Sequence, residues 1–271
     1  VQLAFKYTKP YDQLTKEVKA SYGSVDAYSA CIQRCYSKEW RILDACSSCS
    51  NVLDGYALGQ LFSKGHARPC MLLELSQLGS ADKVLAPPET PAERMFVSVS
   101  GRSGSMATRQ AQHVILQVAG GLAAVHTVPA IYGDPKPANM MLFGDAGNLT
   151  IKLTDFTTSL LLQDDNPAID GCGISQAWAG PEVCDDVPKA TPAMDVWTLG
   201  MLLLWLRLGD RVLNYTPAQL TAEPPGAPVS QLAHIEQDFA RCCLRMEPSE
   251  RWPVTRLLQE HPYLSQQYEG G

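Results

Sequence analysis

The densest apolar run in the chain lies at residues 196–208, Val-Trp-Thr-Leu-Gly-Met-Leu-Leu-Leu-Trp-Leu-Arg-Leu. It has no polar stripe at helical spacing, and a helix that is apolar on every face is a buried one. The run is too short for a bilayer, which takes about 20 residues. Asp195 and Arg207 also flank or interrupt it. The pattern predicts a central helix inside a packed body and no transmembrane segment. A second pattern follows Asn139. Apolar positions alternate on both sides of Gly144-Asp-Ala-Gly-Asn148, which reads as a β-hairpin. Residues 108–126 predict another helix, entered through the flexible Ser-Val-Ser-Gly-Arg-Ser-Gly-Ser-Met-Ala of 98–107. Proline marks two further loops, at 85–95 and 217–229.

Length and charge narrow these elements only a little. A chain of 271 residues is enough for one large domain or two small ones. The formal charge of −6 and the lack of a basic run argue against nucleic acid as a principal partner. No leader segment is visible, although a chain beginning at Val1 is compatible with one having been removed. The Gly101-Arg-Ser-Gly-Ser105 run is not a phosphate-binding loop, because no Lys-Ser or Lys-Thr follows it.

The candidate chemistry flanks the hairpin. Asp134, Lys136 and Asn139 precede it, and Asp155 follows it. Phosphoryl transfer asks a protein for positioning and charge neutralisation more than for covalent chemistry. Asp134 is placed to accept a proton from an attacking hydroxyl, and Lys136 to stabilise the transferring phosphoryl group. Asn139 and Asp155 supply oxygen ligands for Mg²⁺. Any one of these residues could belong to an ordinary polar turn. Four in this order point to a phosphoryl-transfer site.

This stretch resembles the catalytic core of the eukaryotic protein kinases, and other motifs extend the likeness. Ala179-Gly180-Pro181-Glu182 resembles the Ala-Pro-Glu that ends an activation segment. Asp195-Val-Trp197-Thr-Leu-Gly200 resembles the opening of the central C-lobe helix. Pro248-Ser-Glu-Arg251 carries an Arg that the resemblance pairs with Glu182, and His261-Pro-Tyr-Leu resembles the last helix. Upstream, Leu3-Ala4-Phe5-Lys6 resembles the strand whose Lys meets the nucleotide phosphates. Lys38-Glu39 through Cys46 resembles the regulatory helix whose Glu pairs with that Lys. Leu73 falls at the gatekeeper position, and Glu74–Ser76 at the nucleotide hinge. The extra residues between Lys6 and Glu39, roughly 10–35, are expected as an insertion or an added helix. The resemblance implies an α+β, bilobal kinase-like fold over residues 1–271, with an N-lobe at 1–75 and a C-lobe at 76–271.

Departures from the family pattern bear on activity. No Gly precedes Gly23, so the Gly-rich hairpin that covers phosphates is expected to be absent. The family's His-Arg-Asp is Tyr132-Gly133-Asp134, which removes the Arg that would receive an activation-loop phosphate. Its Asp-Phe-Gly is Asp155-Phe156-Thr157, and a β-branched residue there is expected to close off positive φ and stiffen the metal-binding turn. These features are similar to the with-no-Gly-loop branch of apicomplexan secreted kinases of rhoptries and dense granules. That likeness implies a secreted pseudokinase that binds or scaffolds other proteins of the parasitophorous vacuole or cyst wall and needs no cofactor. The alternative is a divergent active Ser/Thr kinase using ATP and Mg²⁺.

Four cysteines, Cys31, Cys35, Cys46 and Cys49, cluster where the regulatory helix is expected, with each pair spaced to share a helical face. Disulfides stapling a small lobe, free thiols and a zinc site all remain open. Cys172 and Cys184 bracket the activation segment and are further disulfide candidates.

Overall fold

The computed structural model describes residues 3–63, 66–85, 108–145, 148–162, 174–184, 190–222 and 227–265. Its N-terminal part is a three-stranded antiparallel sheet of order β1-β3-β2, made of β1 (Leu3–Tyr7), β2 (Gly55–Ser63) and the central β3 (His66–Glu74). The register sets Leu3 opposite Glu74 and Lys6 opposite Met71. Strand alternation therefore turns Leu3, Phe5 and Tyr7 to one face and Ala4 and Lys6 to the other.

Two helices separate β1 from β2. Helix α1 (Lys16–Tyr22) is capped by Thr15 and stopped by Gly23, at φ 73°. Helix α2 (Val25–Ala45) begins at the Ser24 cap and buries Tyr28, Tyr36, Glu39, Ile42 and Leu43. The regulatory helix expected from Lys38 onward is thus much longer, and it takes in residues 25–35 of the expected insertion. The reason is local: Ser24 caps, and no Gly or Pro interrupts residues 25–45.

The C-terminal part is mainly helical. It contains α3 (Ala81–Val84), α4 (Thr108–Thr127), α5 (Ala193–Leu208), α6 (Pro217–Thr221), α7 (His234–Cys243) and α8 (Val254–Glu260). Every residue of α5 from Met194 to Leu206 is buried, as the all-apolar run predicted. Gly200 lets α7 approach, since a Cβ there would lie 2.8 Å from Cys243 Cβ. The expected hairpin is β5 (Met140–Asp145) with β6 (Asn148–Leu153), and a short ladder joins β4 (Ala130–Ile131) to β7 (Leu160–Leu161). Leu53 N–H donates to Leu153 O and Leu153 N–H to Asn51 O, which fastens the segment after α2 onto the hairpin.

Some expectations need correction. The 217–229 segment is not all loop: Pro217 starts α6, and Thr216 with Gln219 forms a capping box. Cys31, Cys35, Cys46 and Cys49 carry free thiols, so the expected staples are not formed. Cys46 is the C-cap of α2 and Cys49 lies beyond it, so that pair shares no helical face. Burial pushes the Cys46 thiol up to about 11. Among the described residues no group of three or more His, Cys, Asp or Glu is placed to hold a metal, and no helix is long and apolar enough to cross a membrane. Cys172 and the side chain of Cys184 lie outside the described residues, as do the expected loops at 86–107.

Candidate active site

The first turn of α5 builds the catalytic loop. Asp195 is fully buried, and its carboxylate accepts the N–H groups of Tyr132 (2.9 Å) and Gly133 (2.8 Å) and pairs with His126 Nε2 at 2.8 Å. A rigid helix thus fixes the backbone leading to Asp134. Gly133 sits at φ 87°, where a Cβ would come within 3.1 Å of Thr158 O. The missing Arg at this position therefore goes with a backbone that favours glycine. The Tyr132 hydroxyl points at Thr154 O and, at 3.3 Å, Asn139 O, while its ring packs edge-on to Phe156. Burial holds this hydroxyl well above the usual tyrosine range.

Asp134 gathers the groups expected of it. It pairs with Lys136 Nζ at 2.6 Å, and Asn139 Nδ2 donates to its Oδ2 and its carbonyl, each at 3.0 Å. The 3-10 turn Pro137–Asn139 places that amide. Ser175, missed in the sequence, completes the cluster: its N–H donates to Asp134 Oδ1 at 3.3 Å, and its hydroxyl accepts from Lys136 Nζ at 2.7 Å. The available signal was a hydroxyl residue shortly before Ala179-Gly180-Pro181-Glu182.

A second cluster joins the two parts of the molecule. Lys6 Nζ lies 2.8 Å from both Glu39 oxygens and 2.8 Å from Asp155 Oδ1. Glu39 Oε1 also accepts the N–H of Phe156 at 3.2 Å. Burial alone would lower the Lys6 ammonium, but Glu39 and Asp155 outweigh it and raise it above the usual lysine range. Burial raises Glu39, against the pull of Lys6. Burial would also raise Asp155, but Lys6 and Thr157 hold it below the usual carboxylate range.

The turn carrying Asp155 differs from the expectation for Thr157. Asp155 itself takes the left-handed conformation, φ 60° and ψ 73°, as the one non-glycine residue with positive φ among those described. Thr157 lies in the following 3-10 turn Phe156–Thr158, where positive φ is not required. Its influence is chemical instead: the Thr157 hydroxyl donates to Asp155 Oδ1, the oxygen that Lys6 already holds.

At the hinge, Leu73 is buried. The Glu74 carboxylate turns away from the strand backbone and pairs with Lys152 Nζ at 2.6 Å. Lys152 also reaches Asp54 at 2.9 Å, so the carboxylate is bound into a three-residue ion-pair network. The Glu182–Arg251 pair forms as expected, buried and bidentate at 2.6 and 2.7 Å. Arg251 also donates to Ala193 O and Arg245 O and stacks over Trp197.

Lys6–Glu39–Asp155 on one side and Asp134–Lys136–Asn139–Ser175 on the other, spanned by a strand-rich and a helical part, define the protein kinase class. The family model "Protein kinase domain" matches residues 18–264, and the chain belongs to that family. It is similar to human "Serine/threonine-protein kinase tousled-like 1", 27% identical over 180 residues, covering 59% of this chain and 23% of that one. "MAP kinase kinase PBS2" of Saccharomyces cerevisiae is 28% identical over 243 residues, covering 83% of this chain and 33% of that one. "Mitogen-activated protein kinase kinase 7" of Arabidopsis thaliana is 30% identical over 177 residues, with coverage of 59% and 55%. The matched region thus spans less than two thirds of each relative.

Proposed function

We propose that this chain is an ATP-dependent Ser/Thr protein kinase module. The observation that carries this reading is the single cluster around Asp134, in which Lys136, Asn139 and Ser175 all engage one carboxylate. Asp134 accepts the proton of the attacking hydroxyl, and Lys136, held by Asp134 and Ser175, is poised to neutralise the transferring group. Lys6, oriented by Glu39, faces the phosphates. The residues fit Mg²⁺: Asn139 spends its N–H groups on Asp134, which leaves its amide oxygen to join Asp155 as a hard oxygen donor. When bound, that ion supplies neutralisation of the phosphate charge. The test is transfer of labelled phosphate from ATP to a generic basic protein, with Asp134→Asn as control. Transfer that drops by about 10²-fold or more in the variant is expected. No transfer, or equal transfer by both proteins, overturns the reading.

A second reading has its own support. Asp155 Oδ1 already holds Lys6 and the Thr157 hydroxyl. Both contacts weaken a nucleotide site. They favour a secreted pseudokinase of the with-no-Gly-loop apicomplexan branch, most like the Toxoplasma bradyzoite pseudokinase. It would bind other proteins of the parasitophorous vacuole or cyst wall. On this reading ATP with Mg²⁺ raises the melting temperature little, and an epitope-tagged chain localises to the vacuole. A saturable thermal shift that Asp155→Ala abolishes counts against it.

A further inference from the structure

Two neighbouring residues of α2 reach the turn that carries Asp155. Glu39 Oε1 accepts the Phe156 N–H at 3.2 Å, and Lys38 Nζ donates to Thr157 O at 2.8 Å. The first contact belongs to the cluster around Lys6. The second lies outside it and joins residues 119 positions apart. Lys38 is half-buried, so its ammonium is partly shielded from water where it meets the carbonyl. The turn needs such support. Asp155 holds φ 60°, a conformation that a residue with a side chain keeps only where its surroundings impose it. Within the turn, Ser159 N–H donates to Phe156 O at 3.1 Å. From outside, one helix grips an N–H and a carbonyl on consecutive residues. Together these two bonds set the peptide planes that follow Asp155.

The geometry points to Lys38 as a positioning residue for Asp155. By fastening the Thr157 carbonyl to α2, its ammonium holds the turn that aims the Asp155 carboxylate at a divalent cation. The inference rests on the kinase reading, in that it names a residue serving the same metal-binding carboxylate. A hydrogen bond from an ionised donor is stronger than a neutral one, which suits Lys38 to this task. The role carries a sign. An ammonium near a Mg²⁺ site repels the ion, so a purely electrostatic Lys38 would weaken Mg²⁺ binding, and its removal would tighten it. A positioning Lys38 does the reverse. Its removal loosens the turn, misaims Asp155 and weakens Mg²⁺ binding.

The test compares three variants with the parent. Lys38→Met keeps the apolar stem and removes the donor. Lys38→Arg keeps both charge and donor. Arg34→Met removes an exposed charge from the same helix. Backbone hydrogen exchange is read by mass spectrometry, without nucleotide, on fragments covering 155–160. Lys38→Met is expected to exchange there at least about fivefold faster than the parent, and the other two variants like the parent. The Mg²⁺ concentration for half-maximal phosphate transfer at saturating ATP is expected to rise at least about threefold in Lys38→Met and to return in Lys38→Arg. Unchanged exchange in Lys38→Met overturns the inference, as does an equal change in Arg34→Met. An unchanged or lowered Mg²⁺ requirement in an active chain also overturns it, as does a loss that Lys38→Arg does not restore. Should Lys38→Met fail to fold, Lys38→Gln, whose amide ends one bond short, takes its place. Exchange needs no nucleotide, so in a chain that transfers no phosphate it decides alone. An active chain with unchanged exchange loses only the role of Lys38.

Discussion

Helix α5 and strand β1 lie at opposite ends of the burial range. From Met194 to Leu206 no residue of α5 is exposed, whereas β1 has no buried residue at all. Phe5 is 66% exposed, and Leu3 and Tyr7 share its face. The helical part is held by non-directional burial, which is large and insensitive to small shifts. The strand-rich part joins it through Met71 and Leu73 in the shared core, the Leu53–Leu153 backbone pairing, and directed ion pairs of Lys6 with Asp155 and of Lys152 with Asp54 and Glu74. The difference means that the catalytic loop stands on a fixed base. Lys6 hangs on contacts that charge, pH and ligands can change.

The strongest way to break this comparison is to damage the base. Arg251→Ala leaves Glu182 buried and unpaired, and a loss of about 3–5 kcal/mol in chemical denaturation is expected. A loss below about 1 kcal/mol would mean that the helical part does not depend on that buried pair. Next comes a direct contrast of the two regions. Leu203→Ala in α5 is expected to cost about 2–5 kcal/mol, while Phe5→Ala in β1 stays within about 0.5 kcal/mol. Similar losses from both would show that the exposed face of β1 is covered in solution.

Smaller effects follow from the junction. Asp155 is held below its ordinary range, so its contribution is present above about pH 3.9, the unperturbed value, and is lost as pH falls through its lower folded value. Glu39 is raised, so its contribution has the opposite sign and is lost as pH climbs through its folded value. In urea melts across the acid range, Asp155→Asn should flatten the rise of stability with pH and Glu39→Gln should steepen it. Changes in the same direction would refute this assignment of the two charges. The smallest expected effect is at Thr157. Removing the hydroxyl as Val frees Asp155 and should tighten Mg·ATP binding a few-fold, about 1 kcal/mol or less, in thermal-shift titration. Thr157→Gly should do the same, and a gain with Gly alone would restore backbone stiffness as the cause.

Much of the site was legible because its signals are local and its spacings fixed. Asp134, Lys136 and Asn139 are close neighbours in the chain, and the Glu182 and Arg251 motifs carry their own flanking residues. What was misread had a physical reason each time. The prolines of 217–229 read as loop, although Thr216-Pro217 with Gln219 spells a helix start. The cysteine spacing gives each pair a helical face, which holds for Cys31 and Cys35 inside α2 but not for Cys46 and Cys49, because α2 ends before Cys49. Thr157 was judged by its backbone preference, whereas its hydroxyl carries the effect.

The sequence alone determined the buried helix across 196–208, the hairpin that follows Asn139 and the order of the candidate site residues. Period, turn chemistry and short spacing operate within a few residues of chain. Only the tertiary structure decided that Lys6 meets Glu39, 33 residues away, and Asp155, 149 residues away. It likewise decided that Ser175 closes on Asp134, 41 residues back. Such meetings depend on how buried elements pack and on which loops close between them, and neither is written in a local pattern.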